Sequence, residues 1–187
     1  MSFLAASVTL LVVLVALDLT LTAAIIRKLR QHEERLAGET FDPRPTIAPG
    51  ERLARFAVST VGGGEYTDSA LLGRTTVLVF MSTTCASCRA GLPALRNYLG
   101  RASTVGVQAW AVVAGTPEAV GAMAVDLPAG VPVINEEVNG PLHEAIGMRA
   151  YPAYVVVAPD GTVGRVAAGV DQLPGEALET TAATASR

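Results

Sequence analysis

Cysteine is scarce in this chain of 187 residues, histidine rarer than expected and lysine almost missing. The two cysteines, Cys85 and Cys88, lie three positions apart, so they cannot make the widely spaced framework that staples small secreted domains. Nor do they suffice for a structural zinc site, because the two histidines, His32 and His143, lie far away in sequence. Both histidines read as ordinary surface or core residues, and no metal is expected. Lys28 is the only lysine; charged residues make up 17% of the chain and the net charge is -3, which excludes a nucleic-acid footprint. The glycine run Gly62-Gly63-Gly64 opens no helix, so it reads as a turn and not as a phosphate cradle. What remains for two close cysteines is reversible redox chemistry.

Charge is also missing from the first 26 residues, whose single ionisable side chain is Asp18. Phe3 to Ile26 is an apolar run of 24 residues, which as a helix would be about 36 Å long, enough to span a bilayer core with some tilt. Asp18 opposes insertion by about 2.5–3.5 kcal/mol at mid-membrane, but the Phe, Leu, Val and Ile residues of the run together contribute about -4 to -8 kcal/mol. A cleaved signal peptide would want a basic start and a shorter core, and neither is present. The sequence therefore predicts a membrane anchor over residues 1–26, contacting lipid through residues 3–26. A juxtamembrane segment and linker follow over 27–51, carrying Arg27, Lys28 and Arg30 and broken by Pro43, Pro45, Pro49 and Gly50. A single folded domain occupies 52–187.

Within that domain, Arg55 to Ser59 reads as a strand. Thr75 to Met81 is a continuous β-branched and apolar run, as in a strand buried on both faces. Leu92, Leu95 and Leu99 then recur at helical spacing over Arg89 to Leu99. Val107 to Val113 and Val131 to Ile134 are further strands, with helical turns over Pro117 to Val125 and Gly140 to Ile146. Ala153 to Ala158 and Thr162 to Val166 flank the turn Pro159-Asp160-Gly161 as a hairpin, and Leu173 to Ala183 is read as a last helix. Trp110 falls in a strand and is assigned to the core. This order describes an α/β sheet covered by helices on both faces.

The pair Cys85-Ala86-Ser87-Cys88 sits directly between the first buried strand and the first helix. A helix start offers unpaired N–H groups and the positive end of the dipole to an anion. A free thiol, with a pKa of about 8.5, is only a few per cent thiolate at about pH 7, so such a site raises the reactive population. Cys85 is accordingly expected to be the nucleophile, to titrate below about 8.5 and to alkylate faster than Cys88. Cys88, one turn on and more buried, is expected to be the resolving thiol, with Arg89 adding positive charge. Tyr151-Pro152 precedes the Ala153 strand, and Pro152 is a strand-start residue on sequence grounds alone.

The stretches VLVFMSTTCASCRAGLPAL and NGPLHEAIGMRAYPAYVVVAPDGTVGRVAAG resemble the thioredoxin superfamily. Within it the chain resembles membrane-anchored TlpA-like thiol–disulfide oxidoreductases and MauD-like methylamine-utilisation accessory proteins, over about residues 52 to 183 and in the anchor-plus-linker layout. The resemblance implies a thioredoxin-like central sheet preceded by one transmembrane helix. It also implies a cis Tyr151–Pro152 bond facing the disulfide, where Tyr151 and Pro152 bind substrate, with Thr84, Ala86, Ser87 and Arg89 supporting the cysteines. No cofactor beyond the Cys85–Cys88 disulfide is implied. Three features depart from the family pattern: Thr84 stands where Trp is common, Ser87 where Pro or His is common, and Val79 and Gly91 fill two places where a buried acid would sit.

The expected partners are protein thiols and disulfides and a membrane or soluble redox partner. Two other functions stay open at this stage: a peroxiredoxin-like thiol peroxidase, and a membrane-tethered binding module with an inert disulfide. A Sco-like copper carrier fits less well, since those proteins have three residues between their cysteines. The basic residues after the anchor would hold the domain in the cytoplasm; the resemblance places it outside, and that is the location expected here.

Overall fold

Thr76–Ser82 (β3) is the strand about which the domain is built. In the structure, a computed structural model, it is buried from Thr76 to Met81, as its unbroken apolar run requires. The structure describes residues 45–148 and 150–175 together with Leu11, Val15, Leu17 and Asp18. Met1–Asp42 and Pro43–Arg187 are two separate units. The predicted anchor and most of the linker thus lie outside the described residues, apart from those four helical positions. Among the described residues no helix is long and apolar enough to cross a membrane.

The other strands and α-helices of the domain are β1 (Ala57–Ser59), β2 (Glu65–Thr67), α1 (Ala86–Thr104), β4 (Gln108–Ala114), α2 (Pro117–Ala124), β5 (Val133–Asn135), α3 (Pro141–Ile146), β6 (Ala153–Val157) and β7 (Val163–Ala167). A five-stranded mixed sheet has the order β5-β4-β3-β6-β7. β3, β4 and β5 are parallel, joined through the crossover helices α1 and α2, while β6 and β7 run antiparallel to their neighbours. β1 and β2 form a small separate hairpin around the Gly62–Gly64 turn. The β2 arm was not anticipated from sequence. It is only three residues long and half-exposed, too short for an alternation pattern to show.

The sheet separates two apolar clusters. One gathers Val77, Val79, Met81, Ala111 and Val113 beneath Leu92, Leu95 and Leu99 of α1 and Val120 and Met123 of α2. The other gathers Leu78, Phe80, Trp110, Val112 and Val155 beneath β1 and the α3 residues Leu142 and Ile146. Trp110 is fully buried, as its strand position required. Asp160 closes the β6–β7 turn by accepting from the Thr162 hydroxyl at 2.6 Å and backbone N–H at 3.0 Å, bonds that lower its pKa.

Two segments bear on the domain's ends. Thr46 and Ile47, within the stretch read as linker, donate backbone hydrogen bonds to the Gly147 and Ile146 carbonyls at 3.0 and 3.1 Å. At the other end, Leu173 does not begin a helix. It is extended (ψ 147°) and buried, following a 3-10 turn at Val170–Gln172. The reason is local: Pro174 disfavours the helical conformation in the residue before it. Residues 176–183 of that expected helix lie outside the described residues.

Candidate active site

The loop from β3 to α1 is fixed before the cysteines are reached. Thr83 donates its N–H to the Ala114 carbonyl at the end of β4, and Cys85 donates to the Ser82 carbonyl. Ser82 and Thr84 share a hydroxyl contact at 3.0 Å. The Gly115 backbone approaches the Thr83 side chain so closely that a Cβ there would find no room. These contacts deliver Cys85 to the N-cap of α1, in extended conformation.

At that position the sulfur does what a capping oxygen does elsewhere. Cys85 Sγ accepts the Cys88 backbone N–H at 3.1 Å and lies 3.2 Å from the Ser87 hydroxyl. No acidic residue occupies the first turn of α1. When the pair is reduced, a thiolate at Cys85 therefore meets an N–H, a hydroxyl and the positive helix end, with no nearby carboxylate in that turn to oppose it. Here the two cysteines form a disulfide, with Cα atoms 5.3 Å apart. Cys85 is half-buried and Cys88 is 2% exposed. Ala86 and Ser87 between them are exposed. Arg89 does not point its charge into free solvent alone: Nη1 donates to the Thr83 carbonyl at 2.7 Å, clasping the loop that carries Cys85. Thr84 is exposed and bonded to Ser82, giving it a loop-shaping role.

The Tyr151–Pro152 bond is cis. Phe80 of β3 pairs with Ala153 of β6, so Pro152 leaves the sheet at the same end as Cys85. Tyr151 and Cys85 also pack against the same apolar cluster. The sequence-predicted residues Cys85, Cys88, Tyr151 and Pro152 thus converge on one rim. Val79 is buried in β3 and Gly91 lies in α1 with open space where a side chain would be; neither supplies an acid.

A buried acid is nevertheless present, and sequence reasoning missed it. Glu136, just after β5, is 7% exposed, and its Oε1 accepts from the His143 backbone N–H at 2.8 Å and meets His143 Nδ1 at 3.0 Å. His143, in α3, is 1% exposed, with the Phe80 ring edge-on to it. Its Nε2 lies 2.7 Å from the Tyr151 hydroxyl. The one available signal was His143 set among Leu142, Ala145 and Ile146 with an acid seven residues earlier, and no periodicity links such a pair. Burial, and then the Glu136 charge, raise the Tyr151 pKa.

A cleft of about 380 Å³ adjoins the loop, lined by Thr83, Arg89, Leu92 and residues of α2. Among the described residues no cluster of His, Cys, Asp and Glu could hold a metal ion.

The AhpC/TSA family model matches residues 49–166. No curated protein matches the chain. Among solved structures, a thioredoxin-family thiol:disulfide interchange protein from Chlorobium tepidum superposes with a TM-score of 0.55 at 22% identity, over 77% of this chain and 98% of its own. The thioredoxin domain of a thiol-disulfide oxidoreductase from Bacteroides vulgatus gives 0.58 at 16% identity, over 74% and 98%. A secreted disulfide oxidoreductase of Mycobacterium tuberculosis gives 0.55 at 19% identity, over 69% and 95%. At these identities the likeness is one of fold, and the fold is thioredoxin-like.

Proposed function

Since this chain belongs to the AhpC/TSA family and carries its cysteine pair on a thioredoxin-like fold, we propose that it is a thiol–disulfide oxidoreductase acting on protein substrates. The observation that carries the reading is the seat of Cys85: an N-cap sulfur receiving the Cys88 N–H, backed by a buried Cys88 at the sheet end where Tyr151 and Pro152 enter β6.

The chemistry follows from that seat. A Cys85 thiolate attacks one sulfur of a substrate disulfide, forming a mixed disulfide and expelling the other substrate sulfur as a thiolate. The Cys88 thiolate then attacks Cys85 Sγ, closing the Cys85–Cys88 disulfide and releasing the second substrate thiolate. Two electrons pass from the pair to the substrate, and oxidation of a substrate dithiol is the same path reversed. Tyr151 and Pro152 present backbone to an extended substrate segment beside Cys85. Residues 3–26 tether the domain to a membrane, with the domain on the extracytoplasmic side, where a membrane or soluble partner resets its redox state.

The test is trapping. Reduced Cys88→Ser should accumulate a mixed disulfide with a disulfide-bonded protein, and Cys85→Ser should not. Failure of Cys88→Ser to trap any substrate would favour an inert disulfide. A membrane-impermeant thiol reagent applied to intact cells after mild reduction tests the sidedness, since Cys85 and Cys88 are the only thiols. Labelling that requires lysis would place the domain inside.

A thiol peroxidase is the alternative favoured by the hydroxyls of Thr83 and Thr84. However, Thr84 Oγ1 is engaged by Ser82, and the hydroxyl at the Cys85 sulfur is that of Ser87. Peroxide consumption by the reduced protein is expected at background rate.

A further inference from the structure

Glu136 and His143 are the buried acid and base of a layer that is otherwise mostly apolar among the described residues. Two apolar side chains of similar size would fill that space without desolvating a carboxylate. Glu136 Oε2 has no partner among the described residues, so the pair is not even fully satisfied. What it adds is direction. Glu136 Oε1 takes both the backbone N–H and the Nδ1–H of His143, which fixes the ring and, in the neutral imidazole, leaves Nε2 as a bare acceptor. That acceptor meets the Tyr151 hydroxyl at 2.7 Å.

Tyr151 is where this matters. It packs against both apolar clusters, at the seam where the sheet ends. Its hydroxyl is held from the α3 face, while its backbone enters the cis bond to Pro152 on the rim shared with Cys85. Glu136 in turn is seated by Gly140, where a Cβ would run into the carboxylate. We propose that Glu136 and His143 are positioning residues for substrate binding: they fix the Tyr151–Pro152 loop so that its backbone is preorganised to pair with an extended protein segment. Neither residue touches the reacting sulfurs, and their effect passes through Tyr151. The inference rests on the exchange function proposed above and adds to it the residues that shape the substrate groove.

The experiment measures exchange with a disulfide-bonded unfolded protein and separates KM from kcat. In His143→Phe the ring volume is kept and the acceptor lost. KM should rise about three- to tenfold, the scale of one hydrogen bond, while kcat changes less than about twofold. Glu136→Gln is the conservative control. Its amide oxygen still accepts from Nδ1–H, so KM should stay within about twofold of wild type. Should His143→Phe fail to fold, Gly140→Ala keeps all three residues and displaces the Glu136 side chain, and it should raise KM in the same direction. In the folded wild type, the His143 ring nitrogens should show the Nδ1–H tautomer by ¹⁵N NMR, a signature independent of turnover.

An unchanged KM in His143→Phe and Gly140→Ala, or a fall confined to kcat, overturns the positioning role. So does an Nε2–H tautomer. A wild-type protein inert toward the substrate would instead overturn the exchange reading, while the tautomer measurement would still report on the network.

Discussion

Beneath α1 and α2 the sheet buries Val77, Val79, Met81, Ala111 and Val113 with the tyrosines Tyr98 and Tyr154 but, among the described residues, no acid or base, and the disulfide sits at that layer's rim. Beneath α3 and β1 it buries Trp110 and Phe80 together with Glu136 and His143. The face nearer the chemistry is thus the plainer one. Its job is to hold a helix start rigidly, and close-packed hydrocarbon does that without competing for the sulfur's hydrogen bonds. The other face carries its polarity away from the disulfide and directs it at the Tyr151–Pro152 loop.

The comparison can be broken most completely at Cys85. Cys85→Ser should reduce exchange to background while leaving the α3 face intact, which the unchanged tautomer of His143 would verify. Next in size is Glu136→Ala. It strips the acceptor from two buried donors, and at about 1–3 kcal/mol each the loss should total about 2–6 kcal/mol by denaturant unfolding. Replacing Glu136 and His143 together by apolar residues should cost less than the sum of the single changes, converting this face toward the character of the other. Additive losses would show that the two side chains do not act as a pair.

A smaller effect is read through pH, and it is carried mainly by the α1 and α2 face, where Tyr98 and Tyr154 lie. Burial raises the phenols of Tyr98, Tyr151 and Tyr154 above their ordinary 10.0; Arg101 partly offsets this at Tyr98, while Glu136 and Asp171 add to it at Tyr151 and Tyr154. With folded pKa values above unfolded ones, the stability these groups contribute is fully present below pH 10 and declines as pH rises through the folded values. Thermal unfolding in alkaline buffers should show this fall, and Tyr154→Phe should flatten it. Smaller again is Ser87→Ala, which removes one hydroxyl from the Cys85 sulfur and should slow alkylation of the reduced thiol about two- to fivefold near neutral pH. Smallest is Gly91→Ala. The site is mid-helix with open space around it, so the change should stabilise by about 0.5–1 kcal/mol without altering the exchange rate.

Much of this was legible in the residues. TTVLVFM announced a strand buried on both faces, and Leu92, Leu95 and Leu99 announced the inner side of α1. The CASC pair between them carried its own chemistry, because strand-to-helix placement by itself dictates where a helix dipole points. The Glu136–His143 pair was not legible, because it joins a loop to a six-residue helix through tertiary contact. A histidine on an apolar helix face reads the same whether its ring nitrogens are idle or engaged. The three-residue β2 escaped for lack of length, and Leu173 because a following proline outweighed the apolar spacing.

The central place of β3 has a consequence for how the chain comes to be folded. Phe80 pairs with Val112 on one side, soon after α1, but on the other side with Ala153, far along the chain. A nascent chain can therefore complete one edge of its most apolar strand early and must leave the other open until β6 has been synthesised. That open edge is a template for any other extended segment nearby, and closing it means closing a long loop, the slow kind of contact. Fragments ending before Ala153 are expected to aggregate even though both cysteines and their helix are already present.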